Sequence, residues 1–142
     1  MSSTNREEFS IKVKSQLDNL TVIRDFVNQV AGHFGLDEAT VFDLQLAIDE
    51  ACTNIIVHGY EGQEGDITLS LRQQHDEIVV TIQDRAQPFD PDAVPLPLLD
   101  APLEDRPLGG LGIYLMRQVM DEVRFDFDDA KGNELTMIKR LR

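Results

Sequence analysis

All six prolines of the chain, Pro88, Pro91, Pro95, Pro97, Pro102 and Pro107, fall between Asp84 and the Gly109-Gly110 pair. Proline removes a backbone donor and fixes φ, so regular helix and sheet are disfavoured in that stretch and left free to form elsewhere. Residues 85–110 are therefore expected to form one long irregular loop. A loop of this length inside a compact domain commonly covers a binding site; the plainer alternative is an inert linker. With 142 residues and a 42 % apolar share, residues 1–142 are expected to form a single domain with its own core.

On both sides of the loop the hydrophobic period identifies the elements. Phe9, Ile11 and Val13 alternate with polar residues, the signature of a strand with one buried face. Leu20, Ile23, Val27, Val30 and Phe34 recur every three or four residues and predict a helix ending at Gly35. Asp37 is placed to cap a second helix with the stripe Val41, Leu44, Ile48, Ala51 or Cys52, and Ile55, ending at His58-Gly59. Ile67, Leu69 and Leu71 predict a strand. His75-Asp76-Glu77 predicts a hairpin turn, and Ile78 to Ile82 a central strand buried on both faces. After the loop come a short helix over Leu111 to Met120, a strand with Val123, Phe125 and Phe127, a turn at Lys131-Gly132-Asn133, and a last strand from Leu135 to Leu141. This order predicts an α+β two-layer sandwich: a mixed, mostly antiparallel sheet with helices on one face.

Thirteen Lys and Arg against 26 Asp and Glu give a formal charge of −13, which disfavours direct nucleic-acid binding and anionic membranes. A basic protein partner, or an anionic ligand held by local dipoles and a divalent cation, remains compatible. The single cysteine, Cys52, cannot form an intramolecular disulfide and reads as core packing. The polar first ten residues and the lack of a bilayer-length apolar run lead us to expect a soluble, cytoplasmic protein with no membrane segment.

Three features carry possible chemistry. Glu50, Asn54 and His58 are spaced by four on the second helix, with a carboxylate able to take a proton and an amide oxygen able to ligate Mg²⁺; a solvated helix face is the alternative. Gly109, Gly110, Leu111 and Gly112 precede an apolar helix, where freed backbone N–H groups suit phosphate, or else serve as a hinge. Asp84 ends the central strand, where a carboxylate suits an exocyclic amine or simply starts a turn. Walker-type and GxGxxG fingerprints do not occur.

Their order is more specific than any of them alone. Asp49 to Tyr60, DEACTNIIVHGY, resembles the N-box of the GHKL ATPases, particularly the bacterial anti-sigma-factor serine/threonine kinases. Asp84 to Pro91 resembles their G1 box, and Gly109 to Met116 their G2 box. The likeness runs from about residue 9 to 141. It implies a Bergerat-type, histidine-kinase-like fold holding ATP and Mg²⁺, and a kinase of a partner-switching module that regulates transcription. On that resemblance Glu50 is the catalytic base and Asn54 the Mg²⁺ ligand, while His58 and Gly59 complete the N-box. Asp84 receives the adenine amino group, with Ala86 and Thr136 close by. Gly109, Gly110, Leu111 and Gly112 wrap the triphosphate, and Arg106 reaches the γ-phosphate from the lid. Ala86 and Pro88 replace the two glycines of the wider DxGxG pattern, and the Ala86 Cβ bears on nucleotide affinity more than on fold. The implied partners are a sigma factor and a STAS-type anti-anti-sigma protein, with a homodimer expected. Two other functions fit the same residues: a non-catalytic, nucleotide-dependent protein that sequesters a regulator, and a detached histidine-kinase catalytic domain.

Overall fold

The computed structural model describes residues 7–88 and 110–141. Arg106, Gly109 and most of the proline-rich loop lie outside the described residues. Strand β1 (Glu8–Lys14) leads into helix α1 (Asn19–Phe34) and helix α2 (Glu38–Asn54), which continues as a π-helical turn over Ile55–Gly59. Strands β2 (Asp66–Gln74) and β3 (Glu77–Asp84) follow. Beyond the loop lie helix α3 (Gly110–Val119) and strands β4 (Glu122–Asp128) and β5 (Gly132–Arg140).

Local chemistry sets these boundaries. Gly35, at φ +69°, ends α1 by bonding back to Ala31 and Gly32, a left-handed conformation that costs a residue without Cβ little. The Asp37 carboxylate accepts from the Thr40 backbone N–H at 2.8 Å and caps α2, as the sequence predicts. The hairpin between β2 and β3 turns on His75 and Asp76, with His75 at φ +56°.

The sheet order is β1-β2-β3-β5-β4, and every pairing is antiparallel, so no parallel pair joins the described strands. That corrects the mixed sheet expected above: the single crossover, from β3 past β5 to β4, changes strand order without making parallel neighbours. Residues paired across the ladder share a face. Ile67, Leu69, Leu71, Ile78, Val80, Ile82, Leu135 and Met137 form the buried face, against Ile23 and Val27 of α1, Leu44 and Ile48 of α2, and Met116 of α3. Each fully buried Leu or Ile contributes roughly 1.5–3 kcal/mol, so this layer holds the helices in register. Strand β3 is central, but on its other face only Val79 is buried, packed beside Ile138; Thr81 and Gln83 there are partly or fully exposed. Its density of β-branched residues overstates burial on that face.

Candidate nucleotide site

One cleft lies where α2 and its π-helical turn, α3 and the ends of β3 and β5 meet, lined among others by Asn54, Gly59, Asp84, Ala86, Met116 and Asn133. Glu50 and Asn54 share a helix face, but that face is not solvated. Helix α3 packs over it, and Asn54 is only 8 % exposed. The contact is close at Gly112, where a Cβ would stand 2.9 Å from Glu50 Oε1 and 3.1 Å from Asn54 Nδ2. The base candidate, the amide and the glycine-rich helix start therefore meet at one point.

Lys139 secures the far end of that contact. Its ammonium pairs with Asp43 of α2 at 2.7 Å and donates to the Val119 carbonyl, at the C-terminus of α3, also at 2.7 Å. A cation there also complements the helix dipole. The N-terminal turn of α3, opened by Gly110 and Leu111, is thereby held beside Glu50 and Asn54.

His58 follows Asn54 within a π-helical turn over Ile55–Gly59, where main-chain bonds span five residues instead of four. His58 is half-buried and lies outside the cleft lining. Gly59 does line it, for a packing reason: a Cβ there would fall 2.8 Å from the Ala86 Cβ. The methyl that Ala86 carries in place of the glycine of the wider pattern is accommodated by the missing side chain of Gly59.

Asp84, 9 % exposed, accepts two hydrogen bonds on Oδ1, from the Ala86 backbone N–H at 2.8 Å and from Asn133 Nδ2 at 2.8 Å. Burial pushes its pKa above the usual carboxylate range, and those two donors oppose the shift. Asn133 also donates to the Ala86 carbonyl at 2.9 Å. Tyr60 braces the same corner, its hydroxyl donating to the Asp66 carbonyl at 2.8 Å and accepting from the Arg85 N–H at 2.9 Å. Thr136 is not close to Asp84. It pairs with Thr81, three residues along β3, and an odd offset from Asn133 puts it on the opposite face of the sheet.

Glu50 also has a raised pKa, from burial first and from the neighbouring Asp49 second. Asp49 is itself paired with Arg24 of α1 at 3.1 Å. Cys52 is fully buried with its thiol pushed up to about 12, which makes it an inert core residue.

Asn54 Nδ2 is buried and has no hydrogen-bond partner among the described residues. An unpaired buried amide costs about 1–3 kcal/mol, and its orientation is free to present either Nδ2 or Oδ1 to a ligand. Among the described residues no cluster of three His, Cys, Asp or Glu could hold a metal. A hard cation here would draw on Asn54 and on ligand oxygens, the usual pattern for Mg²⁺ beside phosphates.

Sequence reasoning missed Asn133 by assigning it to a turn. The turn is Asp129 to Lys131, closed by the Asp128 carboxylate on the Ala130 and Lys131 N–H groups at 2.7 and 3.1 Å, and Asn133 already belongs to β5. The usable signal was the alternation Asn133, Leu135, Met137, which carries the buried face back to Asn133.

A family model described as a histidine kinase-like ATPase domain matches residues 13–139. The chain is 28 % identical to the serine-protein kinase RsbW of Bacillus cereus over 140 residues, covering 96 % of this chain and 86 % of that protein. It is 32 % identical to the serine-protein kinase RsbW of Halalkalibacterium halodurans over 139 residues, covering 95 % and 83 % respectively. The crystal structure of the RsbU and RsbW domains of Rv1364c from Mycobacterium tuberculosis matches with a TM-score of 0.70 at 17 % identity, a likeness of fold. That match covers 95 % of this chain but only 32 % of the solved one.

Proposed function

The chain belongs to the histidine kinase-like ATPase domain family, and from that premise we infer that it is an ATP-dependent protein serine/threonine kinase and anti-sigma factor of a partner-switching module. The observation that carries this reading is the meeting of Glu50, Asn54 and Gly112 at one point beside the cleft that Asp84 closes. The serine-protein kinases among its relatives supply the acceptor class. Its protein partners are a STAS-type anti-anti-sigma substrate and a sigma factor, and it acts as a homodimer in the cytoplasm. Within the described residues no helix is long and apolar enough to cross a membrane.

Bound ATP supplies the phosphoryl group, and Mg²⁺ screens its charge. Asp84 Oδ2 would accept from the adenine amino group, and Asn54 would hold Mg²⁺ through its amide oxygen. The backbone N–H groups of Gly110, Leu111 and Gly112 at the start of α3 would receive phosphate oxygens, with Gly109 and Arg106 assigned to the same role by resemblance alone. Glu50 takes the proton of the acceptor hydroxyl as its oxygen attacks the γ-phosphorus; phosphoserine forms and ADP leaves. The raised pKa of Glu50 suits this role, because a carboxylate of higher pKa is a stronger base.

Incubation with ATP, Mg²⁺ and a purified STAS-type protein tests the reading. Wild type should transfer phosphate to an acid-stable serine or threonine. Glu50→Gln should lower the rate by roughly 10²–10⁴-fold, the usual worth of a positioned base, while ATP still binds. An unmodified STAS protein with ATP bound to wild type would favour a sequestering protein, and an acid-labile product a histidine kinase.

A further inference from the structure

Asn133 joins the two strands that form the base end of the cleft, and both hydrogens of its amide nitrogen have acceptors. Its amide nitrogen carries two hydrogens and meets two acceptors, Asp84 Oδ1 at 2.8 Å and the Ala86 carbonyl at 2.9 Å. The Ala86 carbonyl can only accept, so the nitrogen end of the amide must face this corner. Gly132 permits the approach: it sits at φ +92°, and a Cβ there would stand 2.6 Å from the Asp84 carbonyl oxygen.

A carboxylate offers about two acceptor sites on each oxygen. With the Ala86 N–H also at 2.8 Å, Asp84 Oδ1 is filled, and neither bond uses Oδ2. A carboxylate with one free oxygen matches one donor group, such as the 6-amino group of adenine. Guanine presents a carbonyl at that position, and its N1–H and 2-amino donors need both carboxylate oxygens to pair side by side. We propose that Asn133 is a specificity-determining residue, which by occupying Asp84 Oδ1 closes the two-oxygen pairing mode and excludes guanine nucleotides from the cleft.

This rests on the reading of the cleft as a nucleotide site and adds to it the residue that selects the base. Asn133 is a positioning residue, since it acts through Asp84. Two substitutions isolate the donor: Asn133→Gln keeps an amide N–H on a side chain long enough to reach Oδ1, and Asn133→Val keeps none.

The experiment is calorimetric titration of wild type and both variants with ATP, GTP and ITP in Mg²⁺. Wild type and Asn133→Gln should favour ATP over GTP by similar ratios. In Asn133→Val the ratio should fall at least about tenfold, the worth of one hydrogen bond to a charged group. GTP should gain more than ITP, because ITP lacks the 2-amino donor. A thermal melt of each variant reports folding separately. If wild type binds ATP and all three proteins share one ratio, Asn133 only braces the loop and the inference falls alone. Equal gains by GTP and ITP in Asn133→Val would overturn the two-oxygen argument. Failure of wild type to bind any nucleotide would defeat the inference together with the reading beneath it.

Discussion

The two ends of the cleft are finished to different degrees. At the end formed by β3 and β5, Asp84, Asn133, Ala86 and Tyr60 satisfy one another through five hydrogen bonds of 2.8–2.9 Å, with Asp66 and Arg85 contributing backbone groups. At the end formed by α2 and α3, Asn54 Nδ2 is buried without a partner among the described residues, and a half-buried Glu50 stands beside a glycine with no room for a methyl group. Polar groups that satisfy one another form a rigid template suited to a flat, weakly polar base. Groups left wanting a partner mark the place where a charged ligand and its cation complete the structure.

The contrast can be broken most severely at the template end. Asp84→Asn should weaken ATP binding by about 10–150-fold, from loss of a charge-assisted hydrogen bond worth roughly 1.5–3 kcal/mol. The same variant should melt no lower than wild type near neutral pH. The folded-state pKa of Asp84 is raised, so its ionised form costs stability above that pKa and the cost disappears below the unfolded-state value. Any thermal advantage of Asp84→Asn should therefore shrink as pH falls through that window, as melts at a series of pH values would show. A variant that melts well below wild type at neutral pH would show that the carboxylate braces the fold and is not held ready for a ligand.

At the other end, Gly112→Ala should lower phosphotransfer by about tenfold, because the added methyl displaces Glu50 and Asn54 from their shared position. Stability should change little, since the ends of two side chains move and the backbone does not. Unchanged kinetics in a single-turnover assay would show that the contact at Gly112 does not matter.

The joint between the two ends is tested through stability. Gly59→Ala should cost about 1–3 kcal/mol by overpacking against Ala86, and a second change, Ala86→Gly, should recover most of it. Denaturant titrations of the two single variants and the double variant measure that coupling. Additive losses would mean that the two positions do not share the space.

The elements were legible because their signals are local. Alternation gave the strands, the three- and four-residue stripe gave α1 and α2, and Asp37 and Gly35 gave caps that depend only on near neighbours. The grouping of Glu50, Asn54, Gly112 and Asp84 was legible from their order along the chain. Three things were not. The π-helical turn that carries His58 is not revealed by the four-residue spacing. The choice between Thr136 and Asn133 depends on strand register, where an odd offset reverses the face, and on whether the turn ends before or after Gly132. The match between Gly59 and Ala86 is a contact between distant segments, and each residue read alone looks like a departure or a simple terminator.

The central claim is that Asn54 is an unfinished metal and phosphate site, and Mg²⁺ dependence tests it directly. Calorimetry should compare ATP binding with and without Mg²⁺ in wild type and in Asn54→Ala, a variant that removes an unpartnered amide and should fold at least as stably. Mg²⁺ is expected to tighten ATP binding to wild type and to leave Asn54→Ala unaffected. An equal Mg²⁺ enhancement in both proteins would contradict the account.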